Sequence, residues 1–335
     1  NPPLEKPMDA RRRIRSCTRC NFLEESRPVI NVVSPSNEWL FGDLLKGFHF
    51  CPFSQGSVVC SLSPIPRADA FLFFESRQAV FSPRLNKTVI QIHDFLHTDQ
   101  YSPGLSRSSV HSCSAISFTH PDQVNLLQTL GVDLSTKKIL VKPIGSPSWF
   151  KPIFTHTPTR KIGWVGRPRI HAGHDLKRSD WLLTIAESSS FPVEFCLYGC
   201  GLGSLFDCLK KQGSVASYVQ KDQYNYSTLP VFYSLLNCLL ITSVSEAGPL
   251  PLFEALSCGI PVISTRVGWA PLLIRDGFNG FLVDSLEEMV ERVNEFFKNE
   301  KNWLSRKNEI AEKSHAFTLE NWFYSNLQFA LEVSK

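Results

Sequence analysis

The feature that most restricts this chain is an alternation of short apolar, β-branched runs with segments of helical spacing, interrupted once by a proline-rich stretch and then resumed. VINVVS (29–34) is a continuous apolar run of the kind that parallel sheets bury on both faces. NEWLFGDLLKGF follows, with Trp39, Leu40, Leu44, Leu45 and Phe48 at helical spacing. Further strands read as SVVCSL (57–62), AFLFF (70–74), KTVIQIHD (87–94), SAISFT (114–119) and KILVKP (138–143). PDQVNLLQTLG (121–131) reads as a helix with proline near its start and glycine just past its end. Such a pattern builds an α/β layer structure with right-handed crossovers.

Residues 145–160 (GSPSWFKPIFTHTPTR) carry Pro147, Pro152 and Pro158, show no periodicity, and read as a linker. The alternation then starts afresh with RKIGWVG (160–166), a helix near SDWLLTIAESS, VEFCLYG (193–199), a helix near LGSLFDCLKKQ, and SVASYVQ. LLITSV (239–244), a helix from about 249 to 258, PVISTRV (261–267) and GFLVD (280–284) follow. Two helix-like segments, LEEMVERVNEFFKN and LSRKNEIAEKSHAF, precede a closing amphipathic helix with Trp322, Phe323, Leu327, Phe329, Ala330 and Leu331 in register. A chain of 335 residues exceeds what one core usually holds, so two parallel-sheet domains around the linker are expected. A ligand crevice then lies at the carboxyl ends of the strands and between the domains.

Composition narrows the function classes. Thirty-five basic against 31 acidic residues give a net charge of +4, which makes no general case for nucleic-acid binding. Several of the ten cysteines sit in apolar runs, such as Cys196, Cys238 and Cys258, where cysteine behaves as a small buried hydrophobe. That usage points to a reducing, cytoplasmic compartment. Cys17 and Cys20 form a lone CxxC without a second pair at zinc-ribbon spacing, and no metal site is read from it. The most apolar stretch, 229–244, is shorter than a membrane span and reads as a core segment. The first 27 residues form a basic tail with Arg11, Arg12, Arg13, Arg15 and Arg19 and no signal-peptide pattern; its charge suits peripheral contact with anionic headgroups.

The chemistry concentrates in SEAGPLPLFEALSCGIPVISTRVG (245–268). Glu246 and Glu254 lie eight positions apart, and on one helix they would point roughly 80° apart. Pro249 and Pro251 belong in a first helical turn, so the helix starts near 249 and Glu246 sits in the loop before it. The helix start between the two carboxylates suits a phosphate, with the amides of Gly248, Leu250 and Leu252 as candidate donors. A diphosphate there, flanked by hydroxyl-rich groups on the carboxylates, describes a nucleotide sugar. The bland alternative makes Glu246 a helix-start charge and Glu254 a solvated residue. Cations come from Arg167, after KIGWVG, and from Lys177 and Arg178 in HDLKR at another helix start.

GRPRIHAGHDLKR, LYGCGLG, EAGPLPLFEALSCGIPVISTRVG and DGFNGFLVD, in this order and spacing, resemble the retaining GT-B glycosyltransferases of glycosyltransferase family 4. The likeness is strong over about 160–300 and weaker in the N-terminal half, where IQIHDF and VKPIGSPSWFKP resemble the family's strand-end histidine and linker. It implies a GT-B fold with two Rossmann-like parallel-sheet domains facing across a cleft: an acceptor domain (28–144), the linker (145–160), a donor domain (161–316), and a C-terminal helix (317–335) crossing back to the first domain.

The resemblance also implies roles. Arg167 and Lys177 hold the donor diphosphate in place of a metal, Glu254 binds the ribose, and Glu246 contacts the transferred sugar. Gly248 and Leu250, with Pro249 between them, approach the phosphates, and His93 faces the sugar from the first domain. Gly166, Gly199, Gly201 and Val219 line the nucleotide. No cofactor or metal is expected beyond a nucleoside-diphosphate sugar, and the acceptor is a carbohydrate or a lipid-linked glycan. Two features depart from the family. SPSNEWLFGD, with only Gly42, replaces its first glycine-rich loop, and Asn237 stands where an aspartate is common. A catalytically silent binding subunit and a nucleotide-sugar epimerase on the same fold remain alternatives.

Overall fold

The structure, a computed structural model, describes residues 27–34, 47–48, 51–74, 76–79, 81–92, 105–154, 160–171, 173–220 and 228–335. The N-terminal lobe carries β1 (Val29–Val33), β2 (Ser57–Ser61), β3 (Ala70–Phe73), β4 (Thr88–Ile92), β5 (Ala115–Phe118) and β6 (Lys138–Val141) in the order β2-β1-β3-β4-β5-β6, every pair parallel. Strands β1, β3, β4 and β5 are buried along almost their whole length, which is why they read as unbroken apolar runs.

The C-terminal lobe repeats the scheme with β7 (Lys161–Gly166), a two-residue hairpin of β8 (Ile170–His171) and β9 (His174–Asp175), then β10 (Glu194–Gly199), β11 (Val215–Gln220), β12 (Cys238–Ile241), β13 (Val262–Thr265) and β14 (Gly280–Val283). Its six-stranded parallel sheet runs β11-β10-β7-β12-β13-β14. The order reverses between β7 and β12, and that is where a doubly wound sheet opens a crevice at its carboxyl edge. Helices cover both faces. Cys196, Cys238 and Cys258 are fully buried in this lobe, as expected, and burial pushes their thiols above the ordinary value.

The closing helix, Leu319–Ser334, returns to the first lobe. Thr318 caps it by accepting a hydrogen bond from the Asn321 amide (3.2 Å). Trp322, Phe323, Leu327, Ala330 and Leu331 pack into the N-terminal core with Ile30, Leu72 and Val89; burying a leucine or phenylalanine of this kind contributes about 1.5–3 kcal/mol. Buried Asn326 fixes the docking: its Oδ1 accepts from Gln91 (2.8 Å) and Ser117 (2.6 Å). The two passages of chain between the lobes run together. Ser146 donates to the Phe317 carbonyl (3.1 Å) and accepts from the Leu319 amide (2.9 Å).

Three expectations need correction. LSRKNEIAEKSHAF is not one helix: Glu300–Ser305 and Lys307–Ser314 are separated at Arg306. Strand β12 stops at Ile241, because Thr242 and Ser243 turn their hydroxyls to other work described below. Lys177 and Arg178 precede no helix directly; they follow the β8–β9 hairpin, and the helix begins at Trp181. Asn237 proves structural, accepting from the Lys161 amide (2.7 Å) and donating to Glu300 (2.7 Å) at the base of β7.

Candidate active site

The reversal point between β7 and β12 holds a small pocket, partly open to solvent, lined by Trp164, Thr242, Ser243, Lys177, Glu246, Pro249 and Pro251, among others. The prolines explain its edge. Pro249, in extended conformation, caps the helix Leu250–Ser257, and Pro251 occupies its first turn. Glu246 therefore lies in the loop before the helix, as the sequence required.

Lys177 Nζ donates directly to Glu246 Oε1, which also accepts from Ser243 Oγ (2.8 Å). Both side chains of the ion pair keep some exposure, 25% and 15%. A hydrogen-bonded chain supports the lysine from below: Trp164 Nε1 donates to Thr242 Oγ1 (3.1 Å), and Thr242 in turn donates to the Lys177 carbonyl. From above, Asp175 organises the whole turn. Its Oδ1 accepts from the amides of Arg169 (2.8 Å) and Lys177 (3.0 Å), and its Oδ2 accepts from the Ser179 amide (3.0 Å) and hydroxyl (2.7 Å). Burial opposes ionisation of Asp175, but these hydrogen bonds outweigh it and hold its pKa below the ordinary carboxylate value. The hairpin is tied to the β12 loop by the Val244 amide, which donates to the Leu176 carbonyl (2.8 Å).

Glu254 is placed otherwise. It lies one turn into the helix, 3% exposed, with Oε2 accepting from Tyr233 Oη at 2.6 Å. The bland expectation of a solvated glutamate is thereby overturned: its helix packs Leu252, Ala255 and Leu256 into the core on either side of it. One donor expectation fails too. The Leu252 amide donates to the Pro249 carbonyl (2.9 Å) within the first turn and is not available to a phosphate, which leaves Gly248 and Leu250.

The remaining sequence candidates fall around this centre. Arg167 follows Gly166 at the end of β7, is exposed, and is not among the pocket's lining residues. Gly166 pairs with Gly199 across β7 and β10, and a Cβ on Gly199 would lie 1.6 Å from the Gly166 carbonyl oxygen, so the neighbouring strand already demands glycine there. Gly201 sits beside Pro168 in the loop after β10. Val219, on β11, packs partly buried against the core. His93 lies outside the described residues, as do Cys17, Cys20, Gly42 and most of the basic tail. Among the described residues no group of three or more His, Cys, Asp or Glu side chains is arranged to hold a metal, and no helix is long and apolar enough to cross a membrane.

Sequence reasoning missed Asp175, Thr242, Tyr233 and Trp269. Only Asp175 left a local signal, an aspartate two residues before one of its donor amides and four before a serine, the pattern of a side chain that caps its own turn. Trp269 projects from the loop after β13, packs on Gly248, and donates Nε1–H to the Thr119 carbonyl of the other lobe (2.6 Å).

Residues 200–315 match the family model for glycosyl transferases group 1, which covers Glu246 and Glu254 but not Arg167 or Lys177. D-inositol 3-phosphate glycosyltransferase of Mycolicibacterium paratuberculosis is 35% identical over 83 residues, 25% of this chain, and the match spans only 18% of that relative's length. Among solved structures, Anabaena Alr3699/HepE in complex with UDP-glucose superposes with a TM-score of 0.71 at 13% identity, over 92% of this chain and 100% of its own. Sucrose-phosphate synthase from Thermosynechococcus elongatus gives 0.71 at 13%, over 92% and 99%. The fold is GT-B. The matched segment belongs to a glycosyltransferase family model, and the solved structures share the fold.

Proposed function

We propose that the protein transfers a hexosyl unit from a nucleoside-diphosphate sugar to an acceptor hydroxyl with retention of anomeric configuration, in glycan or glycolipid biosynthesis. The observation that carries this reading is the Lys177–Glu246 pair at the sheet's reversal point, beside a proline-capped helix start inside the matched family segment's neighbourhood.

In this reading the donor diphosphate takes over Lys177 from Glu246. Lys177, Arg167 and the amides of Gly248 and Leu250 neutralise charge that builds on the leaving group, so no metal is required. Glu246, freed, accepts hydrogen bonds from the sugar, and Glu254 accepts from the ribose. The departing phosphate takes the acceptor's proton, which spares the protein a general base. His93 faces the sugar from the acceptor domain (28–144), and Gly166, Gly199, Gly201 and Val219 border the nucleotide in the donor domain (161–316). Lobe closure about 145–160 excludes water and prevents donor hydrolysis. The UDP and UDP-glucose complexes of Alr3699/HepE favour a uridine donor. Acceptor and site of action, a cytoplasmic pool or the inner face of a membrane, follow the basic tail and are part of the same proposal.

The test is a panel of UDP-, GDP- and ADP-sugars, read first by thermal shift and then by product anomer analysis with glycan and lipid-linked acceptors. One donor should raise Tm and yield a product of unchanged anomeric configuration. Inverted product removes retention, and nucleotide binding without transfer to any acceptor would leave a silent binding subunit.

A further inference from the structure

We propose that Trp269 is a positioning residue that makes the Glu246 loop depend on the approach of the N-terminal lobe; this rests on the glycosyltransferase reading above. Four contacts meet at its indole. Nε1–H donates to the Thr119 carbonyl at the carboxyl end of β5 (2.6 Å), 150 positions away in the chain. The ring of His120, 4% exposed, stands edge-on to the indole with centroids 5.4 Å apart. Phe317, where the chain returns to the first lobe, lies 6.1 Å from it between ring centroids. The fourth contact is Gly248, whose added Cβ would lie 3.5 Å from Trp269 Cδ1.

Both ends of this bridge are stiff. On the N-terminal side, buried Gln123 accepts from the amides of Thr119 and His120 (2.9 Å each), fixing the turn that presents the carbonyl. On the other side, Gly268 adopts φ +48° pressed against the Glu246–Ala247 backbone: a Cβ there would fall 2.7 Å from the Ala247 carbonyl oxygen and 2.9 Å from that of Glu246. The Gly268–Trp269 turn therefore forms the back wall of the loop that carries Glu246 and the Gly248 amide. A shift of Thr119–His120 reaches that loop through one rigid ring. The indole hydrogen bond is satisfied only when the lobes are together, so the loop is held in its working geometry in that arrangement and released from it when the lobes part.

The test compares wild type with Trp269→Phe, which keeps a ring and removes the donor, and with His120→Ala, which removes the facing ring from the other lobe. Hydrogen exchange of the intact chain without ligand is followed at Glu246, Ala247, Gly248 and Leu250, and kcat and KM are measured with the donor found active in the panel. Exchange at these amides should rise about tenfold in Trp269→Phe, the size of one lost hydrogen bond, and about threefold in His120→Ala, which loses a ring contact. Turnover should fall about tenfold with donor KM within about twofold, because the loop is misplaced and the diphosphate cations are intact. Unchanged exchange at 246–250 overturns the proposal, as does wild-type kcat, or a rise spread evenly over the chain, which is what a merely structural loss produces. If wild type transfers no sugar, the glycosyltransferase reading fails, and the exchange result still decides whether Trp269 couples the lobes to the loop.

Discussion

Two carboxylates eight positions apart occupy opposite worlds. Glu246 sits in a loop, partly exposed, neutralised by Lys177 and steadied by Ser243. Glu254 sits inside a helix, closed off from solvent, with a tyrosine hydroxyl on one oxygen. The first can exchange partners at modest cost, since its ion pair keeps some solvent exposure and water can take over from the lost partner. The second cannot, since a buried carboxylate that loses a partner carries the desolvation cost alone. The difference separates an adaptable end, where substrate chemistry changes during a reaction, from a fixed end that holds an unchanging ligand group.

Lys177→Ala attacks the adaptable end and carries the largest expected effect. It removes a cation from the proposed leaving-group site, and turnover should fall by about 100- to 1000-fold, the range seen when one preorganised charge-stabilising donor is lost. Tm should hardly move, because the Lys177–Glu246 pair is partly solvated. A saturating-donor assay with turnover within a few-fold of wild type would falsify the assignment. A large fall in Tm would break the comparison instead, by showing that this end is structural as well.

The fixed end is sharpened by a pair of variants. Glu254→Gln keeps shape and a hydrogen-bond acceptor for Tyr233 while removing the charge; calorimetric donor affinity should weaken about tenfold to 100-fold with the fold intact. Tyr233→Phe strips the carboxylate of a buried partner, and about 1–3 kcal/mol of stability should go with it, measured by denaturant unfolding. The two ends differ as claimed only if the tyrosine variant costs more stability than Lys177→Ala does.

How far the sequence could reach follows the same line. The parallel strands were legible because double-sided burial forces continuous apolar runs, as in AFLFF and GFLV, and the start of the 250–257 helix was legible because prolines tolerate only its first turn. The sequence brought Glu246 and Lys177 to one site but not into an ion pair, since Lys177 read as part of a helix start that binds the diphosphate. The β8–β9 hairpin was not legible: two-residue strands leave no alternation to count, and HAGHD reads as loop. Nor was the Tyr233–Glu254 bond, since LPVFYS carries no mark distinguishing a core tyrosine from one aimed at an acid on the next helix. The Trp269 bridge was hidden for a plainer reason: its acceptor is a backbone carbonyl, and carbonyls have no sequence signature.

Asp175 gives the smallest effect and the finest test of how the adaptable end is built. Its hydrogen bonds depress its pKa below that of the unfolded chain, so it adds stability that is complete above the unfolded value, near 3.9, and is lost as pH falls through the folded one. Asp175→Asn removes the charge and can satisfy fewer of the four donors. The variant should therefore melt below wild type at pH 7, and the gap should narrow as pH is lowered past 4, where wild type protonates the same carboxyl. Turnover should fall less than tenfold, since Thr242 and Trp164 still brace the Lys177 carbonyl. Thermal melts from pH 7 to 3 decide the matter: a gap that widens with acid means the carboxylate is not held charged by its turn, and the adaptable end is then organised by Thr242 alone.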